Sequence, residues 1–330
     1  MHKKGGFALL LIILVVGIMG VIGAVLYTGI NKRPSPETSL NNPLKPKTET
    51  AVNTSNDSKL SFNKVSPEKL LFTGGYADPT FALLDNETMV LYVNKFGTGG
   101  SGYKAYTSND GLTWTEKTNV SLPNASTGRV VKFDNKFRFY YPGLQPIKPS
   151  DPPASIMSSI SGDGFSFTKE SDNRIVPKSG YYLEGPTVIK LAEGKYRMYF
   201  NENETASKER RISKIYGASS PDGLTWTRDE KPTLESDQTV EKAPSDWPQA
   251  LHPFVLKRPT GGYLMLYNTH SKIYAATSED GVSWIKTGYV GIVGADADGY
   301  YLPDGTLRVY YGNFSPETSG VVYTVDLKEN

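Results

Sequence analysis

An all-β chain built as a five-bladed β-propeller is predicted by three observations. Four segments share the pattern S-x-D-G-x-x-(W/F): SNDGLTW from Ser108, SGDGFSF from Ser161, SPDGLTW from Ser220 and SEDGVSW from Ser278. Their aromatic residues, Trp114, Phe167, Trp226 and Trp284, are spaced by 53, 59 and 58 residues, a period that fits about four short strands per unit. Five other stretches repeat a strand–turn–strand pattern: ADPTFALLDNETMVLYV, TGRVVKFDNKFRFYY, GPTVIKLAEGKYRMYF, HPFVLKRPTGGYLMLY and DADGYYLPDGTLRVYY. The fifth unit ends at the C-terminus without its own S-x-D-G segment, and LSFNKV from Leu60 parallels FSFTKE from Phe165, with Phe62 where Phe167 stands. The strand near Leu60–Val65 is therefore expected to complete the last blade and close the ring.

The chain has 330 residues with 32 Gly, 22 Pro and 21 Tyr, a composition that suits many turns between short strands. A formal net charge of +2 gives no electrostatic case for nucleic acid as a partner. The absence of cysteine excludes disulfides, a thiolate nucleophile and thiolate metal sites.

Residues 1–30 differ in kind. Phe7–Ile30 carries no charged residue and is long enough to cross a bilayer as a helix, which takes about 20 residues; it is read as an uncleaved signal anchor. Residues 31–58, rich in Pro, Ser, Thr, Asn and Lys, lack the apolar side chains for a core and are expected to form a disordered linker. The propeller is assigned to 59–330 and placed outside the cytoplasm. Asn-x-Ser/Thr triplets begin at Asn53, Asn56, Asn86, Asn119, Asn124, Asn203 and Asn313.

Scaffold and site separate by comparing the units. The Asp-Gly pairs at Asp110, Asp163, Asp222 and Asp280 recur in four units and are turn residues, Gly supplying positive φ. The aromatic that follows is expected to face the core. LEGPTVIKLAEGKYRMYF is read as a strand from Pro186 to Leu191, with Glu184 just before it, and a second strand ending at Tyr199 and Phe200. Alignment of the inner strands places Asp78, Thr127, Gly185, His252 and Asp296 at one level. Glu184 lies one step earlier; Thr80, Arg129, Thr187, Phe254 and Asp298 lie two steps later. Polar residues particular to single units thus gather at one end of the ring: Asp78, Arg129, Glu184, His252, Asp296 and Asp298. The chain's other histidines are His2 and His270. Two carboxylates from different blades facing one pocket are what glycoside hydrolysis requires, one as base or nucleophile and one as acid. The same charges could instead pair across a polar axial channel.

ADPTFALLDNETMVLYV resembles the first-blade motif of the five-bladed glycoside hydrolases of family 43, with relatives in families 32, 62 and 117, and LEGPTVIKLAEGKYRMYF resembles their Glu-Gly-Pro motif. The resemblance implies that Asp78 is the base or nucleophile and Glu184 the general acid. It implies a carbohydrate substrate, and His252 is similar to an axial histidine that holds water or a metal ion in some relatives; Arg129, His252, Asp296 and Asp298, gathered at the same end of the ring, are the candidate substrate-binding residues. No cofactor is required and no metal ligand is assigned, though DADG leaves room for a structural Ca²⁺ near Asp296 and Asp298. The third acid of those families, which orients the general acid, does not stand in the second unit, which reads STGRVVKF with Arg129 near that level; Asp296 or Asp298 of the fifth unit is the candidate to take its place. An arginine beside Glu184 would lower its pKa. Two alternatives follow, a non-catalytic carbohydrate-binding or interaction propeller, and a sialidase-like enzyme suggested by S-x-D-G-x-x-W. The second needs three arginines, and only Arg129 stands at an inner-strand mouth.

Overall fold

The computed structural model describes residues 60–97, 102–143, 153–192, 195–204, 212–244, 247–314 and 319–330; the expected membrane span and linker lie outside them. All regular structure among the described residues is β-strand, and Ser58–Asn330 forms one compact unit. Five antiparallel sheets follow one another along the chain. The first runs from its innermost strand outward as Tyr76–Leu83, Met89–Lys95, Gly102–Ser108 and Thr115–Lys117. The second is Arg129–Phe133, Lys136–Pro142, Ile156–Ser161 and Thr168–Lys169, and the third Tyr181–Ala192, Lys195–Glu204, Ser213–Ser220 and Thr227–Leu234. Leu251–Lys257, Tyr263–Thr269, Lys272–Ser278 and Ile285–Val293 make the fourth.

The fifth sheet joins both ends of the described chain. Ala295–Tyr301, Leu307–Asn313 and Val321–Glu329 are continued outward by Phe62–Lys64, with Phe62 opposite Glu329, while Lys69–Phe72 also pairs with Val321–Glu329. Each innermost strand touches the innermost strand of the next sheet, and the fifth touches the first. The chain is a five-bladed propeller closed by its N-terminal strand, as the repeats predict.

The repeated S-x-D-G turns are clamps between blades. In the first, Asp110 Oδ1 accepts from the backbone N–H of Leu112 (2.8 Å) and Thr113 (2.7 Å), while Ser108 Oγ accepts from Gly111 N (2.9 Å). The same bonds recur at Asp163, Asp222 and Asp280. These backbone donors hold Asp163, Asp222 and Asp280 at pKa values of about 2. They favour the carboxylate form and give the acids a fixed structural task.

The glycine carbonyl of each turn receives a tyrosine hydroxyl from the preceding blade. Tyr92 donates to Gly164 O (2.6 Å), Tyr140 to Gly223 O (2.7 Å), Tyr310 to Gly111 O (2.8 Å), and Tyr199 to Gly281 O. The aromatic of the same turn then packs edge-on against that tyrosine: Phe167 on Tyr92, Trp226 on Tyr140, Trp284 on Tyr199 and Trp114 on Tyr310. The turn aromatic therefore seals a seam between blades as well as facing its own sheet. In the fourth blade Leu266 stands at the tyrosine's register position, and the blade that follows it is the one without an S-x-D-G turn. Tyrosine and turn are thus present or absent together. A Tyr140→Phe substitution removes the shorter of the two hydrogen bonds to the buried Gly223 carbonyl, which keeps the Trp226 Nε1 donor at 3.2 Å, and is expected to cost about 0.5–1.5 kcal/mol, read as a lower urea midpoint at unchanged m-value.

Candidate active site

The innermost strands share a backbone device that aims side chains at the axis. Asp78, Thr127, Gly185, His252 and Asp296 all take left-handed φ, at 46°, 47°, 56°, 46° and 56°. These are the five residues the sequence alignment places at one level. Ladder pairing is interrupted beside four of them, between Ala77 and Thr80, Glu184 and Thr187, Leu251 and Phe254, and Ala295 and Asp298. This is bulge geometry, which bends a strand and re-aims its side chains. Pro79, Pro186 and Pro253 follow three of the left-handed residues; lacking N–H, proline is tolerated at a bulge. Only Gly185 takes this conformation without steric cost. An L side chain there costs on the order of 1–3 kcal/mol and needs surroundings that enforce it.

Glu184 is inside a strand, not ahead of one. Its strand begins at Tyr181 and the partner strand continues to Glu204, each longer than the sequence pattern indicates, with the ladder running from Tyr181 opposite Glu204 to Glu184 opposite Asn201. Glu184 pairs with Asn201 in the ladder. Its Oε2 accepts from Asn203 Nδ2 at 2.7 Å and from Asn201 Nδ2 at 3.5 Å. Asn201 Oδ1 in turn accepts the backbone N–H of His252 (3.0 Å), which ties the third blade to the fourth.

His252 is the hub of the cluster. Its Nε2 lies 3.9 Å from Glu184 Oε2, and its Nδ1 is in direct contact with Asp296 Oδ1. Burial opposes the imidazolium, but the Asp296 and Glu184 carboxylates outweigh it and raise the pKa to about 10. Asp296 is lowered: burial pushes it up, and the cationic His252 with Arg129 pulls it further down. Asp78 goes the other way, to about 6, through burial and the repulsion of Asp296. The amide of Asn94, the backbone of Thr127 and His252 hold it back from rising further. Asp78 Oδ2 accepts from Asn94 Nδ2 at 2.9 Å and from Thr127 N at 3.1 Å. Glu184, His252, Asp296 and Asp78 thus form one electrostatic unit contributed by four blades. They are 1%, 6%, 3% and 5% exposed.

Arg129 and Asp298 belong to a different level. Arg129 Nη1 donates to Pro79 O (2.7 Å) and Nη2 to Ala297 O (2.8 Å), the carbonyls beside the left-handed Asp78 and Asp296; Nε is 3.6 Å from Asp298 Oδ2. The guanidinium joins the first, second and fifth blades. Burial lifts Asp298 to about 6, with Arg129 and the Gly299 N–H (2.7 Å) opposing. Both residues line a cavity of about 270 Å³ with Phe81, Val130, Thr187 and Phe254, at the downstream end of the inner strands. The charge that was expected to depress Glu184 is therefore committed to Asp298 and two carbonyls.

At DADG each of the two carboxylates is engaged by a cationic side chain: Asp296 is paired with His252 and Asp298 with Arg129, and among the described residues no group of three or more acidic or histidine side chains is arranged to hold a metal. The Asn203 triplet is likewise closed to glycosylation, since its amide is fully buried and bonded to Glu184. Sequence reasoning missed Asn94, Asn201 and Asn203. Asn94, Asn201 and Asn268 occupy equivalent register positions, opposite Ala77, Glu184 and Leu251; the repeated Asn at the end of the second hairpin strand was the available signal. An exposed ring also stands close by: Phe314, 37% exposed, stacks on Phe96 at 5.6 Å.

No protein-family model and no curated protein sequence matches this chain. Solved structures do. A thermostable family-43 glycoside hydrolase is 21% identical with a TM-score of 0.58, over 77% of this chain and 89% of that one. An endo-arabinase from Bacteroides thetaiotaomicron VPI-5482 is 14% identical with a TM-score of 0.57, over 78% and 96%. A family 117 glycoside hydrolase of the marine bacterium Zobellia galactanivorans is 14% identical with a TM-score of 0.57, over 81% and 90%. The chain shares the fold of the five-bladed propeller glycoside hydrolases. At these identities the likeness is one of fold, and the chemistry rests on the side chains of this chain.

Proposed function

We propose that the chain is a glycoside hydrolase-like enzyme that cleaves glycosidic bonds of glycans outside the cytoplasm, held at a membrane through Phe7–Ile30. The observation that carries this reading is the placement of two carboxyl groups, Asp78 and Glu184, at equivalent ends of inner strands from different blades, each held by asparagine amides and linked through His252 and Asp296. Glu184 gives its proton to the glycosidic oxygen as the C–O bond breaks. Asp78 either takes a proton from the attacking water or attacks the anomeric carbon itself, and in the second case water later releases the sugar with Glu184 as base. Phe314 offers an apolar face for a sugar ring.

Asp78 must be ionised in either role. With its pKa at about 6, kcat/KM is expected to fall as pH drops through about 6, which makes Asp78 the acidic limb of a bell-shaped profile. The test is a screen of the full chain on aryl glycosides and polysaccharides, with Asp78→Asn and Glu184→Gln beside it. Hydrolysis lost in both variants supports the assignment, and hydrolysis that survives both refutes it.

The low exposure of Asp78, Glu184, His252 and Asp296 favours a second reading, a carbohydrate-binding propeller without turnover. It predicts saturable glycan binding by the wild-type chain with no reducing ends released.

A further inference from the structure

The third blade is built differently from the others at the level of Glu184. Thr80, Thr187, Phe254 and Asp298 pair with Tyr92, Tyr199, Leu266 and Tyr310. From that level the second strand ends three residues on in the first, fourth and fifth blades, at Lys95, Thr269 and Asn313, but five residues on in the third, at Glu204. The extension adds Asn203, which shares a strand face with Asn201 because alternate residues point the same way. Asn203 is diagonal to Glu184 across the ladder, where side chains of this length meet.

Asn203 has no freedom to turn. Its Oδ1 accepts from Ser213 Oγ, which lies directly opposite on the third strand, and from Asn201 Nδ2 at 3.1 Å. With the oxygen taken by two donors, the amide nitrogen is left facing Glu184 Oε2 at 2.7 Å. Ser213 is itself anchored through its backbone, its N–H donating to Pro248 O (3.2 Å) and its carbonyl accepting from Ala250 N (3.0 Å). The sequence Ser213–Asn203–Glu184 therefore runs from a fixed backbone to the carboxyl group, and all three side chains are buried.

We propose that Asn203, locked by Ser213 and Asn201, is the positioning residue for Glu184, fixing by neutral hydrogen bonds the direction that a charged third acid would otherwise fix. Oε2, which accepts from the amide, also faces the His252 Nε2 at 3.9 Å, so the direction of the carboxyl group is set from that oxygen. The inference rests on the reading of Glu184 as general acid, since positioning matters only if that proton is delivered.

The test is Asn203→Asp in the full chain, followed by ¹³C-carboxyl NMR titration of Glu184, with Glu184→Gln identifying the resonance, and by the pH profile of kcat/KM. A carboxylate of the same shape beside Glu184 disfavours its ionised form. The Glu184 midpoint is expected to rise by about one unit or more, and the alkaline limb of the profile to move up with it. Asn203→Ala is expected to lower kcat about 10-fold or more with KM within about twofold, because the carboxyl group is present but misdirected. An unmoved Glu184 midpoint in Asn203→Asp overturns the proposal. If that variant does not fold, Ser213→Ala reads the same tether: kcat falling several-fold at constant KM supports it, and unchanged kcat overturns it. The titration needs no turnover, so its outcome is separate from that of the catalytic reading: a shifted midpoint in a chain that hydrolyses nothing upholds the Asn203–Glu184 coupling and refutes the enzyme.

Discussion

Arg129→Met is expected to destabilise the propeller by about 3–5 kcal/mol, the usual cost of removing one partner of a buried ion pair. The guanidinium serves three clients at once: the carbonyls of Pro79 and Ala297 and the Asp298 carboxylate. Methionine keeps much of the volume but donates to none of them. The substitution also severs a junction of three blades, so its effect should appear as a lower urea midpoint of the whole cooperative transition. Its pH dependence has a definite sign. Asp298 has a folded pKa of about 6, above its ordinary 3.8, so burial in the fold favours its protonated form. Below pH 6 the side chain needs no cation, and the deficit of Arg129→Met should shrink; at pH 8 it should be largest. Adding Asp298→Asn to Arg129→Met should recover part of the loss. A deficit under about 1 kcal/mol, the range of exposed pairs, would show that Arg129 is not the staple described above.

Asp296→Asn is the second large effect, on stability and on the candidate chemistry together. It leaves the His252 imidazolium buried without its principal partner, at a cost again of about 3–5 kcal/mol near neutral pH. The wild-type His252 pKa of about 10 lies above the ordinary 6.5. Stability from the charged imidazolium is therefore fully present below pH 6.5 and lost as pH rises through about 10. Asp296 itself is lowered, so its contribution is present above 3.8 and lost as pH falls through its folded value. The gap between wild type and variant should be widest from about pH 4 to 6.5 and close on the alkaline side. Asp78 would also lose a repelling neighbour, the second cause of its raised pKa after burial. The acidic limb of kcat/KM should then move below pH 6. Urea titrations at pH 6 and pH 10, with the pH–rate profile, check both.

Much of the scaffold is legible in the sequence itself. The S-x-D-G-x-x-(W/F) turns showed themselves because the same backbone problem is solved four times, and the orphaned Leu60–Val65 strand showed itself because the fifth unit lacked one. The alignment also found the axial level, since each blade needs one left-handed residue there: Asp78, Thr127, Gly185, His252 and Asp296. What stayed hidden depends on neighbours in space. Nothing in the chain beside Tyr140 points to Gly223, on the next blade, and Leu266 acquires meaning only against a blade without the turn. Arg129 was placed against Glu184 by its nearness in the alignment. Two positions beyond the left-handed Thr127 its side chain instead meets the Pro79 and Ala297 carbonyls, where inward-turned backbone needs a donor. Asn203 was visible only as a glycosylation triplet, because the strand that buries it is longer than its hydrophobic pattern.

The division of labour between Asp78 and Glu184 is tested most directly by leaving-group dependence. On the aryl glycoside turned over fastest, the rates of Glu184→Gln and Asp78→Asn are compared for a dinitrophenyl and an unactivated phenyl leaving group. A general acid matters only when the departing oxygen needs a proton. Glu184→Gln should stay near wild type on the dinitrophenyl substrate and fall by about 10²–10⁴-fold on the phenyl one, whereas Asp78→Asn should fall on both. Equal losses on the two substrates for Glu184→Gln, or none on either, would contradict the assignment.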